Sequence, residues 1–163
     1  MSTRSLNPIP VGMHTVTPML VCTGAADALA WYARAYGAIE QTRLVGPNGK
    51  IMHAQMLIGD TPIMLTEEDI EHCAAGPTTL KGSPVSLHIY VEDVDAAFAK
   101  ALAEGATSKM PVQDMFWGDR FGALTDPFGH SWSIATHIED LTPEQVKANF
   151  EKMCSQSAAA SMG

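Results

Sequence analysis

The order strand, helix and three strands occurs twice in this chain, and that repetition constrains the fold more than any other feature. Landmarks return roughly 70 residues apart, Val21 with Val91, Gly37 with Gly105, and Met64 with Ser133. In the first copy an apolar, β-branched run over 14–21 predicts a strand, with Pro18 arguing for an edge position or a bulge. Helical spacing follows over 25–36, with Leu29, Tyr32 and Tyr36 on one face and Gly37 where a left-handed cap belongs. Strands are then predicted over 41–45, 51–58 and 63–66, separated by Gly46-Pro47-Asn48-Gly49 and Gly59-Asp60.

The second copy predicts a strand over 85–91, then a helix that Asp93 caps, with Val94, Phe98, Ala101 and Leu102 on one stripe and Gly105 behind it. Strands over 109–115, 121–125 and 131–136 complete it. Asp126-Pro127-Phe128-Gly129 is a hairpin corner: Pro127 fixes φ, Gly129 admits positive φ, and Asp126 can accept bonds from the backbone that follows. In the strand after it Trp132, Ile134 and Thr136 alternate with Ser131, Ser133 and Ala135, a bulky packed face opposite a small-residue face open to a cavity.

These elements give module 1 over about 13–68, a polar linker over 69–83 and module 2 over about 84–137. A loose arm precedes them over 1–12. Thr142-Pro143-Glu144-Gln145 opens a C-terminal helix over 141–154 with Val146, Phe150 and Met153 as its packing stripe, and a disordered tail is expected over 155–163.

Composition narrows the classes of function. With 46% hydrophobic and 17% charged residues the chain is globular, and a net charge of -8 without a Lys/Arg cluster argues against nucleic acid as a partner. No run reaches the roughly 18 apolar residues that span a bilayer, and MSTRSLNPIP lacks a signal peptide's apolar core, so a soluble, cytoplasmic protein without a membrane partner is expected. Cys22, Cys73 and Cys154 are odd in number and form no CxxC pair, which predicts reduced thiols.

Paired βαβββ modules, the segments SLHIYVEDVDAAFAKALAEGA and KIMHAQMLIGDTPIML, and the run FWGDRFGALTDPFGHSWSIATHIED together resemble the vicinal oxygen chelate superfamily over residues 13–140. That superfamily includes glyoxalase I, extradiol dioxygenases and the bleomycin and fosfomycin resistance proteins, and the pattern is most similar to its PhnB-like branch. The resemblance implies an α+β fold in which two βαβββ modules form a cupped mixed β-sheet, here followed by a C-terminal helix, and it implies a homodimer. It also implies one metal-ligand position on the first and last strand of each module. Those positions fall on Val16, Met64, Ser86 and Ser133, none of which offers the imidazole or carboxylate that a divalent metal wants. No metal or other cofactor is therefore expected.

Strand alternation selects the side chains that can meet a ligand. His88 and Tyr90 share a face with Ser86, and His53 and Gln55 share one with Leu57. Phe116, Trp117 and Arg120, beside Gly118 and Gly122, form an aromatic and cationic set suited to covering a cavity mouth against a planar or anionic ligand. The predicted binding set is thus His53, Gln55, Met64, His88, Tyr90, Trp117 and Arg120, with His53 and His88 as candidate acids or bases. Each has a structural alternative: a histidine bonded to a neighbouring strand, an Asp119–Arg120 local pair, and surface or turn roles for His130 and His137.

Two functions compete. One is a metal-free cup that binds a small molecule. The other is a lyase, isomerase or dioxygenase that uses His53 or His88 as acid or base, or a shifted Zn, Ni, Fe or Mn site built from His53, His88 and Glu67. Glu67 and Glu68 otherwise read as linker. No glycine-rich strand-to-helix loop is present for a nucleotide cofactor, so no methyl-donor site is assigned.

Overall fold

The structure, a computed structural model, describes residues 6–72 and 74–160. It divides into two compact units, Met1–Ser83 and Pro84–Gly163. The first contains β1 (Met19–Cys22), α1 (Ala25–Tyr36), β2 (Ile39–Val45), β3 (Ile51–Ile58) and β4 (Thr61–Glu67), in a four-stranded sheet of order β1-β4-β3-β2. β1 is parallel to β4, and the other neighbours are antiparallel. Ala28, Leu29, Trp31 and Tyr32 of α1 are buried, as are Ala54, Met56 and Leu65 of the sheet, so one face of the sheet is the core. His53, Gln55 and Leu57 alternate with that set and stay half-buried on the other face.

The second unit repeats the plan with β5 (Ser86–Tyr90), α3 (Val94–Ala103), β6 (Thr107–Asp114), β7 (Asp119–Thr125) and β8 (Ser131–His137), in the order β5-β8-β7-β6. Asp93 caps α3 by accepting from Ala96 N, and Val94, Phe98 and Ala101 face the sheet. Gly122 of β7 lies under Phe98, whose ring is so close that a Cβ at position 122 would sit 2.8 Å from it. Pro111 falls on the edge strand β6, where a missing N–H leaves no partner unsatisfied. The chain is α+β, with two four-stranded mixed sheets.

The corner between β7 and β8 is built on Asp126, whose residue is 3% exposed. Its Oδ1 accepts from Phe128 N and His130 N, each at 2.9 Å, and its Oδ2 accepts from Trp132 Nε1 at 2.8 Å. Gly129 takes φ 89° to let the chain reverse. Trp132 and Ile134 are fully buried on the packed face, as the alternation predicts. Ser133 and Ala135 are buried too, although they lie on the opposite face, because their neighbours across the sheet carry the rings of His88, Tyr90 and Phe121.

Most strand limits shift by one or two residues, and two expected boundaries move further. The first strand begins at Met19 and not at residue 14, since Pro18 has no N–H to give a ladder and only its carbonyl joins, accepting from Met64 N at 2.9 Å. The final helix, α4 (Pro143–Ala160), starts with the predicted capping box, Gln145 N donating to Thr142 Oγ1 and Thr142 N donating to Gln145 Oε1. It continues past Cys154 through Ala158-Ala159-Ala160, strong helix formers, where a disordered tail is predicted. Residues 161–163 of that tail, residues 1–5 of the arm and Cys73 lie outside the described residues. The linker stretch carries a 3-10 turn over Ile70–His72 and the short helix α2 (Pro77–Leu80). Among the described residues no helix is long and apolar enough to cross a membrane.

Replacing Asp126 by Ala removes the acceptor of two backbone donors and leaves the buried indole N–H of Trp132 without it. The expected loss is about 3 kcal/mol or more, read from the urea midpoint of unfolding.

Candidate ligand-binding site

The open face of the second unit's sheet gathers aromatic and titratable side chains. Pairing sets His88 beside Ser133 and Tyr90 beside Ala135, which in turn faces Phe121. His88 Nδ1 lies 2.7 Å from Ser133 Oγ, and its ring meets Tyr90 edge-on at 4.6 Å and stacks on Phe121 at 5.9 Å. Trp117 packs edge-on against Phe121 at 5.6 Å and against Phe116 at 4.9 Å. His88 and Tyr90 both remain exposed, so the rings form an aromatic surface that is not core.

Below that surface sits Asp119, 4% exposed. Tyr90 Oη donates to its Oδ2 at 2.9 Å and Trp117 Nε1 donates to the same oxygen at 3.0 Å. Its Oδ1 is 2.8 Å from His137 Nδ1, and the other ring nitrogen of His137 is 3.0 Å from Asp140 Oδ1. Burial pushes the Asp119 carboxyl upward, but the bonds from His137, Tyr90 and Trp117 outweigh it and hold the group below the ordinary carboxylate value. The same bond from Tyr90 to Asp119 raises the phenol. Hydrogen bonds to Asp119 first and Asp140 second raise the imidazole of His137.

A tight turn makes this cluster possible. Gly118 takes φ 98°, and its carbonyl accepts from both Ile138 N and Glu139 N, so the segment after β8 lies against the turn between β6 and β7. A Cβ at Gly118 would collide with the carbonyl oxygen of Glu139. That close approach brings His137 and Asp140 to Asp119. Alongside, Tyr90, Val91, Glu92, Thr136 and His137 line an open cleft of about 510 Å³ at the C-terminal ends of β5 and β8.

Of the residues predicted from the sequence, the structure brings together His88, Tyr90 and Trp117. Arg120 is not among them. It lies on the other face of β7, with Nε and Nη2 bonded to Asp95 of α3 at 2.6 and 2.8 Å and Nη1 bonded to Asp114 at 2.8 Å. The period of two that places Asp119 and Phe121 on the open-face side of β7 turns Arg120 toward the helix. These carboxylates hold the guanidinium still more firmly protonated. His53, Gln55 and Met64 belong to the first unit, where Gln55 pairs with Met64 across β3 and β4.

Glu67 caps α1, its two oxygens accepting from Gly24 N and Ala25 N at 2.9 Å each, while Glu68 accepts from Gly76 N at 2.6 Å. Both carboxylates thus organise the loops around them. His130 is buried in the corner, 3.5 Å from Asp126. Asp119, Phe121, His137 and Asp140 are functional candidates that the sequence did not give. The strand limits expected at 121 and 136 each stop short of the last pair of the ladder, Asp119 with His137.

Residues 13–134 match the family model of the Glyoxalase/Bleomycin resistance protein/Dioxygenase superfamily. The chain belongs to that superfamily. Mycobacterium tuberculosis Rv0887c, an uncharacterized protein, is 39% identical over 136 residues, covering 82% of this chain and 80% of its own. TioX from Micromonospora sp. ML1 is 28% identical, with a TM-score of 0.61 over 77% of this chain and 99% of its own. A PhnB protein from Bacillus cereus, described as a putative 3-demethylubiquinone-9 3-methyltransferase, shares the fold at 19% identity, with a TM-score of 0.60 over 76% of this chain and 99% of its own.

The superfamily's metal chemistry does not fit the donor set present here. Val16 is 81% exposed and lies ahead of β1, Met64 offers a thioether, and Ser86 and Ser133 offer neutral hydroxyls. Among the described residues no three His, Cys, Asp or Glu side chains converge as ligands. Asp119, His137 and Asp140 are strung in line by hydrogen bonds and do not surround a common point.

The charge state of His137 is open to direct measurement. Its imidazole is expected to titrate by NMR above the ordinary value of about 6.5 and to return toward it in Asp119→Asn. The stabilisation it brings is present below the unfolded value and is lost as pH rises through the raised folded one. That of Asp119 runs the other way, lost as pH falls through its lowered value.

Proposed function

We propose that this superfamily member is a metal-free small-molecule-binding protein whose second unit presents its open sheet face to a planar aromatic ligand. The observation that carries the reading is the ring cluster of exposed His88 and Tyr90 with half-buried Phe121, flanked by Trp117. Rings held edge-to-face and stacked by their neighbours are oriented before a ligand arrives, so little side-chain freedom is lost on binding. The replacement of all four superfamily ligand positions by Val16, Met64, Ser86 and Ser133 supports binding without a metal. The face of His53, Gln55 and Met64 on the first unit is proposed as a second, weaker contact surface.

The test is a titration of the full chain with naphthamide, a neutral planar probe, followed by two-dimensional amide NMR. Shifts are expected at His88, Tyr90, Trp117 and Phe121, and saturable binding should be lost in Tyr90→Ala and Phe121→Ala. Shifts that fail to saturate, or that survive both substitutions, overturn the reading. Elemental analysis of protein purified without an affinity tag is expected to find no stoichiometric Zn, Ni, Fe or Mn. One metal per subunit, lost when His53 and His88 are changed to Ala, would replace it with a metalloenzyme.

We also propose a homodimer. α4 leaves Phe150 46% and Met153 40% exposed while touching its own unit through Phe116, whose ring meets Phe150 at 5.2 Å. An apolar stripe on a helix is stabilised when something covers it. Sedimentation at micromolar concentration should give twice the chain mass, and Phe150→Glu should reduce it to a monomer.

A further inference from the structure

If the second unit's face does take an aromatic molecule, the reading on which this step rests, the hydrogen bonds of His137 also specify the ligand's charge. A carboxylate only accepts, so a ring nitrogen that bonds one must carry a proton. His137 meets a carboxylate oxygen at both nitrogens, Asp119 at 2.8 Å and Asp140 at 3.0 Å, and is therefore an imidazolium with two donors in fixed directions. Its raised pKa agrees with that assignment.

The two acceptors differ in kind. The Asp119 side chain is 6% exposed and is pinned by Tyr90 and Trp117 as well as by His137. The Asp140 side chain is fully exposed, and it holds Nε2 from a loop three residues along the chain. A surface ion pair of this sort contributes little and weakens further in salt. Asp119 is thus the fixed partner that orients the ring, and Asp140 is a replaceable one. Nε2 belongs to a residue that lines the cleft with Tyr90, Val91, Glu92 and Thr136.

We infer that this cleft binds an aromatic monocarboxylate, whose carboxylate displaces Asp140 from His137 Nε2 while its ring lies along Tyr90. Asp140 is then the chain's own carboxylate standing in the place of the ligand's. Glu92 on the same cleft, with Asp140 bonded to His137 beside it, limits the site to one negative charge, because a dianion would meet these two carboxylates with one cation between them.

Naphthoate and naphthamide have the same shape and differ in charge, so the ratio of their affinities isolates the role of His137. In the unmodified chain naphthoate is expected to bind about tenfold more tightly, the magnitude of one charge-assisted hydrogen bond partly open to water. Asp140→Asn should tighten naphthoate by a further factor of about three, since a competing carboxylate is gone. His137→Gln should bring the ratio to about one, with circular dichroism confirming that the variant is folded.

A ratio near one in the unmodified chain, a ratio unmoved by His137→Gln, or no tightening in Asp140→Asn would each overturn the inference while naphthamide binding leaves the aromatic site standing. Failure of both probes to bind would remove the aromatic site and the inference together.

Discussion

The second unit depends on one carboxylate. Asp126 fixes the length and shape of the corner between β7 and β8 by accepting from two backbone amides inside the turn and from the indole of Trp132 beyond it. The corner sets the register, pairing Thr125 with Ser131, and the ladder carries that choice step by step to Asp119 opposite His137. Side chains alternate with a period of two, so a slip of one residue would turn Asp119 and Phe121 into the core and Arg120 onto the open face. A buried turn residue at one end of the hairpin thus determines which acid faces which imidazole at the other.

The fold was legible because its signals are local and repeated. Period-two alternation, Asp93 and Thr142 as caps, Gly37 behind a helix and Asp126 in the corner each rest on chemistry within a few residues, and each forms as expected. The candidate site was legible where a strand's own alternation exposed it, as for His88 and Tyr90, and where aromatic residues cluster along the sequence, as for Trp117. Asp119 joins Tyr90, Trp117 and His137 from three different places in the chain, and no local pattern announces a partner that arrives through a sheet ladder. Arg120 shows the complementary failure. Charge and neighbouring aromatics suggested a cavity mouth, but parity on β7 sends the side chain to Asp95.

The repeat also separates scaffold from chemistry. Both units share strand order and the direction of each pairing, yet matching pairs hold different side chains: Met19 with Met64 on the first unit and His88 with Ser133 on the second. The topology requires no particular residue on an open face, since the helix-facing side supplies the core. Each copy's open face was therefore free to diverge, toward His53, Gln55 and Met64 in one and toward His88, Tyr90 and Asp119 in the other.

That divergence explains how an acidic chain, with a net charge of -8, can hold a cation where an acidic ligand would meet it. Long-range repulsion between exposed charges is screened within about 10 Å in ordinary salt. Contact with His137 acts at hydrogen-bond distance, where screening is weak and the direction of the N–H decides the energy. The buried Asp119 keeps the imidazole both charged and aimed, and it contributes little repulsion of its own because Tyr90, Trp117 and His137 already occupy its oxygens. Selectivity at such a site comes from one oriented donor beside an aromatic wall, and the sign of the protein's overall charge has small influence on it.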